Sequence, residues 1–241
     1  MVIEGGLIRM SYLSFDDVTL YYELHGSGSE TLVCLHGNHE DHTYFQHQIT
    51  YFKQYYQVLV VDMRSHGLST NGAKGLSFNL FADDLYYVCQ HLNLDKIHLL
   101  GFSDGASTAM TFTLKYPEMV AKLILNGANY HPFGVKLQYQ LPEYLKYAYY
   151  RLIGNHKEAN IKGLMCFEPL FHKKQLQQIQ KPCIVVAGTD DMIRDQHLKN
   201  LARMLQAKLI YIKGDHFVSM HQYALFNRRV HQFLQEEVRC S

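Results

Sequence analysis

Apolar and polar residues follow two rhythms along this chain. Short, almost unbroken apolar runs recur near residues 31–35, 57–62, 96–101, 122–126, 182–187 and 207–212. Runs of that length, rich in Val, Ile and Leu, read as strands buried on both faces. Between them lie longer segments with apolar residues every three or four positions. Asn79 to Leu92 is one, with Leu80, Phe81, Leu85, Val88 and Leu92 forming a single stripe. Near the start, Tyr12 to Phe15 and Val18 to Leu24 read as an antiparallel pair at the sheet edge. The alternation predicts an α/β chain: a mostly parallel sheet of about eight strands with helices on both faces.

One stretch breaks the rhythm. Residues 127–181 fall between two strands and carry Tyr139, Tyr144, Tyr147, Tyr149 and Tyr150. Most of these rings are expected to pack the insertion onto the sheet. One or two are expected to form an apolar floor for an acyl or aryl group.

The most informative segment is Gly101-Phe102-Ser103-Asp104-Gly105, which follows the run Lys96 to Leu100 and precedes a helical stretch, Ala106 to Leu114. A serine between two glycines at a strand-to-helix turn is the nucleophile-elbow pattern. The turn is too tight for side chains two residues before and after the serine. It holds the serine in a strained conformation with its hydroxyl projecting, and the helix start offers free N–H groups to negative charge. The plainer reading is a serine N-cap, since serine is favoured at helix starts.

A nucleophilic serine needs a base and a group that orients the base. The strand Pro182 to Ala187 ends in Gly188-Thr189-Asp190-Asp191, and the strand Lys208 to Ile212 ends in Lys213-Gly214-Asp215-His216. Asp191 and His216 are 25 residues apart, room for one helix, about Arg194 to Leu205, and one strand. The order Ser, Asp, His accompanies this elbow.

Two further segments complete a family pattern. His36-Gly37-Asn38 after the strand Leu32 to Leu35 resembles an oxyanion loop, and Val61-Asp62-Met63-Arg64-Ser65-His66-Gly67-Leu68-Ser69 resembles a D-x-R-G-x-G-x-S segment. With the elbow, the Gly-x-x-Asp turn and the Gly-x-His turn, five motifs stand in family order. The chain resembles the α/β-hydrolases over most of its length. The resemblance implies one domain over residues 1–241 with a small lid at about 127–181. It implies Ser103 as nucleophile, His216 as general base and acid, and Asp191 as its orienting carboxylate. The backbone N–H groups of Asn38 and Asp104 would form the oxyanion hole. Family spacing selects Asp191 over Asp190, which is left as a turn-stabilising residue. The implied activity is hydrolysis of a carboxylic ester or related acyl bond in a small-molecule substrate, without cofactor or metal. Three positions depart from the pattern: Asp215 stands where a small residue is usual, Ser65 where glycine is frequent, and His39-Glu40 where the loop is often glycine-rich. Asp215 is expected to hydrogen-bond locally.

Two readings from other classes compete. One is an idle α/β-hydrolase fold used as a ligand receptor or scaffold. The other is a metal-dependent hydrolase built on His36, His39, Asp41 and His42. A His-x-His-x-Asp-His site would need the first histidine one residue closer, and metal geometry does not tolerate that slip. His36 is better read as a loop residue whose ring fixes the backbone near Asn38. His221 and His231 are placed on a C-terminal helix around Ala224 to Leu234, solvated or packed.

Composition narrows the partners. The chain has 241 residues, 47% hydrophobic and 19% charged, with a formal net charge of +1. No Lys/Arg-rich run appears, so nucleic acid is not an expected partner. No apolar stretch nears the roughly 20 residues needed to span a bilayer. The start, with Glu4 and Arg9, lacks a signal-peptide apolar core, and either Met1 or Met10 could initiate. Five cysteines, at 34, 89, 166, 183 and 240, have no paired spacing, which suits a reducing cytoplasm. Cys240 is expected to be exposed.

Overall fold

The computed structural model describes residues 2–3 and 6–236. Met1 and Cys240 lie outside the described residues. The strands, in chain order, are β1 (Val2–Ile3), β2 (Gly6–Phe15), β3 (Val18–His25), β4 (Thr31–Leu35), β5 (Gln57–Val61), β6 (Ile97–Phe102), β7 (Val120–Asn126), β8 (Cys183–Gly188) and β9 (Lys208–Ile212). The helices are α1 (Gln46–Phe52), α2 (Phe78–His91), α3 (Asp104–Lys115), α4 (Leu137–Leu152), α5 (His156–Phe167), α6 (Lys173–Leu176), α7 (Asp195–Met204), α8 (Val218–His221) and α9 (Tyr223–Gln235).

All described strands join one sheet in the order β1-β2-β3-β5-β4-β6-β7-β8-β9. The pairs β1·β2, β2·β3 and β3·β5 are antiparallel, and the rest are parallel. This is the mostly parallel sheet expected, the eight anticipated strands being joined by the two-residue β1. Met10 lies within β2.

The central strands are apolar at nearly every position because both faces are covered. In β4, Val33 and Leu35 enter the core beneath α2, α3 and α7, while Leu32 and Cys34 enter the core beneath α1 and α9. Leu59 and Leu99 follow the first set, and Val60 and Leu100 the second. Helix α2 is capped by Ser77, whose hydroxyl accepts from the Leu80 N–H at 3.2 Å. Its buried stripe runs through Phe78, Phe81, Leu85 and Val88, and Leu80 is only half-buried. Cys34, Cys89, Cys166 and Cys183 are buried and free.

Register places the ends of β4, β6 and β7 within one residue of a common level, and β8 and β9 run two residues further. Leu35 pairs with Gly101, Gly101 with Leu125, and Leu125 with Val185. The loops leaving these strands therefore emerge side by side.

The segment between β7 and β8 holds the helical pair α4 and α5 and the short α6. Its tyrosines depart from the expected packing on the sheet. Tyr144 and Tyr147 meet Phe167 of α5 with ring centroids 5.9 and 5.0 Å apart, and Tyr139 and Tyr149 are exposed. His221 also departs from expectation, because the chain breaks at Gln222 and leaves His221 on α8, ahead of the C-terminal helix. His231 does lie on α9, with its ring 4.3 Å from that of Tyr55.

Candidate active site

Strand β6 ends at Phe102 and α3 begins at Asp104, so Ser103 makes the whole turn. Its φ of +53° and ψ of −115° are strained for a residue with a side chain. The flanking glycines explain how the turn closes. A Cβ on Gly101 would strike the Gly105 carbonyl oxygen, and one on Gly105 would strike the Leu35 carbonyl oxygen at the end of β4. The second collision is with a neighbouring strand rather than within the turn. The Ser103 side chain makes no cap hydrogen bond, which removes the N-cap reading. Its N–H donates to the Asn126 carbonyl at 2.9 Å, pinning the elbow to the end of β7.

The loop after β4 presses on the elbow. A Cβ on Gly37 would lie 3.1 Å from the Ser103 Cβ and 3.1 Å from the Phe102 ring. The Asn38 side chain bridges two elements, donating to Asp104 Oδ2 at 2.8 Å and to the Ile161 carbonyl of α5 at 2.9 Å. Among the described residues, neither the Asn38 N–H nor the Asp104 N–H finds an acceptor. His36 holds this loop from beneath: Nδ1 donates to the Gly37 carbonyl at 2.8 Å and Nε2 accepts from the Met63 N–H at 3.0 Å. Burial lowers its pKa and keeps the ring neutral, as those two bonds require.

Asp191 and His216 come together from the ends of β8 and β9. Asp191 Oδ1 accepts from His216 Nδ1 at 2.7 Å and from the Ile193 N–H at 2.9 Å, and Oδ2 accepts from the Gly188 N–H at 3.3 Å. Asp191 is 2% exposed and His216 5%. Burial raises the Asp191 pKa, but the hydrogen bond from His216, the attraction of that ring when it is protonated, and the Ile193 and Gly188 N–H groups together hold the carboxyl below its ordinary value. An ionised carboxylate accepts only, so the proton sits on Nδ1 and Nε2 is left as an acceptor. Nε2 is buried with no partner. The imidazole lies 4.9 Å from the Phe102 ring, centroid to centroid, one residue before Ser103. It also lies over Gly127, the residue after Asn126. Ser103 and the free Nε2 thus occupy the same end of the sheet, although no hydrogen bond joins them.

Asp190 stands apart from the Asp191–His216 pair. Asp190 is exposed and accepts from the Thr189 hydroxyl at 3.1 Å. Asp215 accepts from the Phe217 N–H at 3.0 Å and from His221 Nδ1 at 3.1 Å, the local bonding anticipated. Ser65 and His39 adopt φ of +71° and +61°, the left-handed region that glycine enters most easily.

The histidine-rich loop does not assemble as the metal reading requires. His39 Nε2 reaches Glu158 at 3.5 Å, and His36 is engaged as above. Among the described residues, the grouping with converging ligand atoms is Asp41, His42 and Asp62. Its lone pairs are largely used: Asp62 accepts from the His42 N–H, the His42 ring and the Leu68 N–H, and Asp41 accepts from the Thr43 N–H and hydroxyl.

Two residues singled out in the sequence for other reasons, Asp104 and Glu40, bring buried carboxyls to this loop. Burial pushes Asp104 up to about 6, against the pull of the Asn38 amide. Burial pushes Glu40 up to about 8, while its Oε2 accepts from the Gly37 N–H at 3.0 Å. The Asn38 bridge and the contact of Gly127 with His216 were missed. Only Gly127 carried a signal, as a glycine directly after a strand.

A sequence profile described as alpha/beta hydrolase fold matches residues 30–166. The chain belongs to the alpha/beta hydrolase fold family. Its curated relatives within this family carry hydrolase names. A putative esterase/lipase of Haemophilus influenzae is 41% identical over 35% of this chain and 30% of that protein. A 2-hydroxy-6-oxononadienedioate/2-hydroxy-6-oxononatrienedioate hydrolase of Burkholderia vietnamiensis is 27% identical over 91% of this chain and 92% of that protein. Among solved α/β-hydrolase structures, an enol-lactonase from Burkholderia xenovorans LB400 shares the fold, with a TM-score of 0.80 and 16% identity over 94% of this chain and all of that one. The family resemblance read from the motifs is thereby confirmed.

Proposed function

We propose that this α/β-hydrolase is a serine hydrolase that cleaves a carboxylic ester or related acyl bond through an acyl-enzyme. The observation that carries this reading is the buried His216–Asp191 pair, with Nε2 unpartnered beside the strained Ser103 elbow. Ser103 Oγ attacks the acyl carbon while its proton passes to His216 Nε2. The oxyanion accepts from the Asn38 and Asp104 N–H groups, each donor worth about 10²–10³ in rate. Collapse expels the alcohol, which takes the proton from Nε2. A water then gives its proton to Nε2, attacks the acyl carbon and releases the acid, and the proton returns to Ser103. Asp191 keeps the imidazole in the tautomer both halves need. The helices between β7 and β8, residues 127–181, act as the lid, tied to the oxyanion loop through Asn38 and the Ile161 carbonyl.

The relatives' names raise a second reading, hydrolysis of a dienedioate, which carries two carboxylates. Such a substrate calls for free cations beside the nucleophile. Lys162, the buried cation of α5, is paired with Glu143 at 2.6 Å, and the Asp104 carboxyl adjoins Ser103. These groups favour an uncharged acyl substrate.

A fluorophosphonate probe with p-nitrophenyl esters of graded chain length tests the proposal. Labelling and turnover are expected in the wild type and lost in Ser103→Ala. An unlabelled wild type would instead support the receptor or scaffold reading, and turnover by Ser103→Ala would refute the mechanism.

A further inference from the structure

Helix α4 carries its apolar residues on the outside. Only Gln140 of its sixteen residues is buried. At 3.6 residues per turn, Leu137, Leu141, Leu145, Tyr149 and Leu152 fall on one face, and Ile153 continues it. All six are exposed, Leu145 at 64% and Leu152 at 86%. The opposite face is the one that packs, with Tyr144 and Tyr147 on Phe167 and Glu143 on Lys162. A row of large apolar residues at helical spacing is not the scattered exposure ordinary in soluble proteins.

The two charged residues that flank this row are both positive. Lys146 and Arg151 fall on its two edges, both exposed, with Lys146 also reaching Glu143 at 2.7 Å. From Lys136 to Lys174 the sequence has seven Lys/Arg against three Asp/Glu, in a chain whose total is only +1. The rest of the chain is therefore net acidic, and this segment carries the positive excess.

We propose that the outer face of α4 docks on an anionic lipid–water interface, lying in its plane. The leucines enter the headgroup–acyl boundary, and Lys146 and Arg151 meet the headgroup phosphates. No described helix is long and apolar enough to cross a membrane, so this is surface attachment. A second copy of the chain is the poorer occupant. A two-fold pairing through α4 sets Lys146, near the middle of the helix, beside its own copy. The docking does not depend on the proposed chemistry.

Co-sedimentation of the full chain with vesicles tests it, comparing phosphatidylcholine alone with phosphatidylcholine mixed with phosphatidylglycerol. Binding is expected on the mixed vesicles and is expected to fall with added salt. It should vanish in the double variant Leu141→Glu with Leu145→Glu and weaken about fivefold for each of Lys146→Gln and Arg151→Gln. Ser103→Ala should bind like the wild type, separating attachment from catalysis. Circular dichroism confirms that each variant is folded. Absence of binding to mixed vesicles, or unchanged binding by the double leucine variant, overturns the proposal. So does a concentration-dependent dimer by light scattering that the leucine variant dissociates, if the vesicles capture nothing.

Discussion

The His216 imidazole rests on Gly127: a Cβ there would lie 2.5 Å from the ring's Cε1 and 2.8 Å from its Nδ1. Gly127 also has a φ of +58°, which a side chain would strain. Gly127→Ala is therefore expected to displace the ring from Asp191. Esterase turnover should fall by about 10²-fold, more than the accompanying loss of thermal stability explains. Near-normal kcat in that variant would show that the ring position does not matter.

Asp191→Asn keeps the size of the side chain but removes the acceptor-only partner of Nδ1. The amide can present N–H to the ring and favour the wrong tautomer. Turnover is expected to drop about 10⁴-fold with folding retained, measured as kcat on a p-nitrophenyl ester. A loss below tenfold would mean that the pair is structural.

Asn38→Ala removes a side chain but leaves the backbone N–H in place. The expected loss is on the order of 10–100-fold in kcat, because the loop loses its ties to Asp104 and the Ile161 carbonyl. Asn38→Asp should not rescue it, since a carboxylate cannot donate to either acceptor. Full activity in Asn38→Ala would remove the bridge from the mechanism.

Glu40 makes stability depend on pH. Unfolded, its carboxyl ionises near 4.5, and burial in the fold holds the proton up to about 8. The folded chain binds the extra proton, so the contribution is fully present below about pH 4.5 and is lost as pH rises through about 8. Glu40→Gln keeps an oxygen for the Gly37 N–H and has no charge to bury. Its urea midpoint, relative to wild type, should be unchanged in acid and higher above about pH 8. A parallel pair of curves would disprove the assignment.

Arg64 is 1% exposed and grips Asp84 through Nε at 2.6 Å and Nη2 at 2.7 Å. Arg64→Met leaves Asp84 buried without its partner. A loss of about 3–5 kcal/mol in unfolding free energy is expected, and pairing Arg64→Met with Asp84→Leu should recover much of it.

The central strands and the elbow were legible because their signals are local. An apolar run such as Leu32 to Leu35 needs no partner to be read, and Gly101 and Gly105 announce a turn that only they can make. The family resemblance favours Asp191 over Asp190 through its spacing from Gly188, and in the fold it is Asp191 that bonds His216. What stayed hidden depends on elements meeting in space. Nothing near Asn38 in the sequence indicates that its amide reaches Ile161. The tyrosines of α4 meet α5 or solvent rather than the sheet, because aromatic content does not say which face meets protein. The break that separates His221 from α9 falls at Gln222, where no glycine or proline marks it.

The near-common level at which β4, β6 and β7 finish, with β8 and β9 ending two residues on, has a practical meaning for engineering. Ser103, Asp191 and His216 each sit within a few residues of a strand terminus, whereas α4 and α5 join that platform through the long connection between β7 and β8. Two ties cross between them, from the Asn38 amide to the Ile161 carbonyl and from Lys136 Nζ to the Asp191 carbonyl. A different helical pair grafted between Asn126 and Cys183 would have to restore both ties, and keep Gly127 against His216, for the proposed chemistry to survive the exchange.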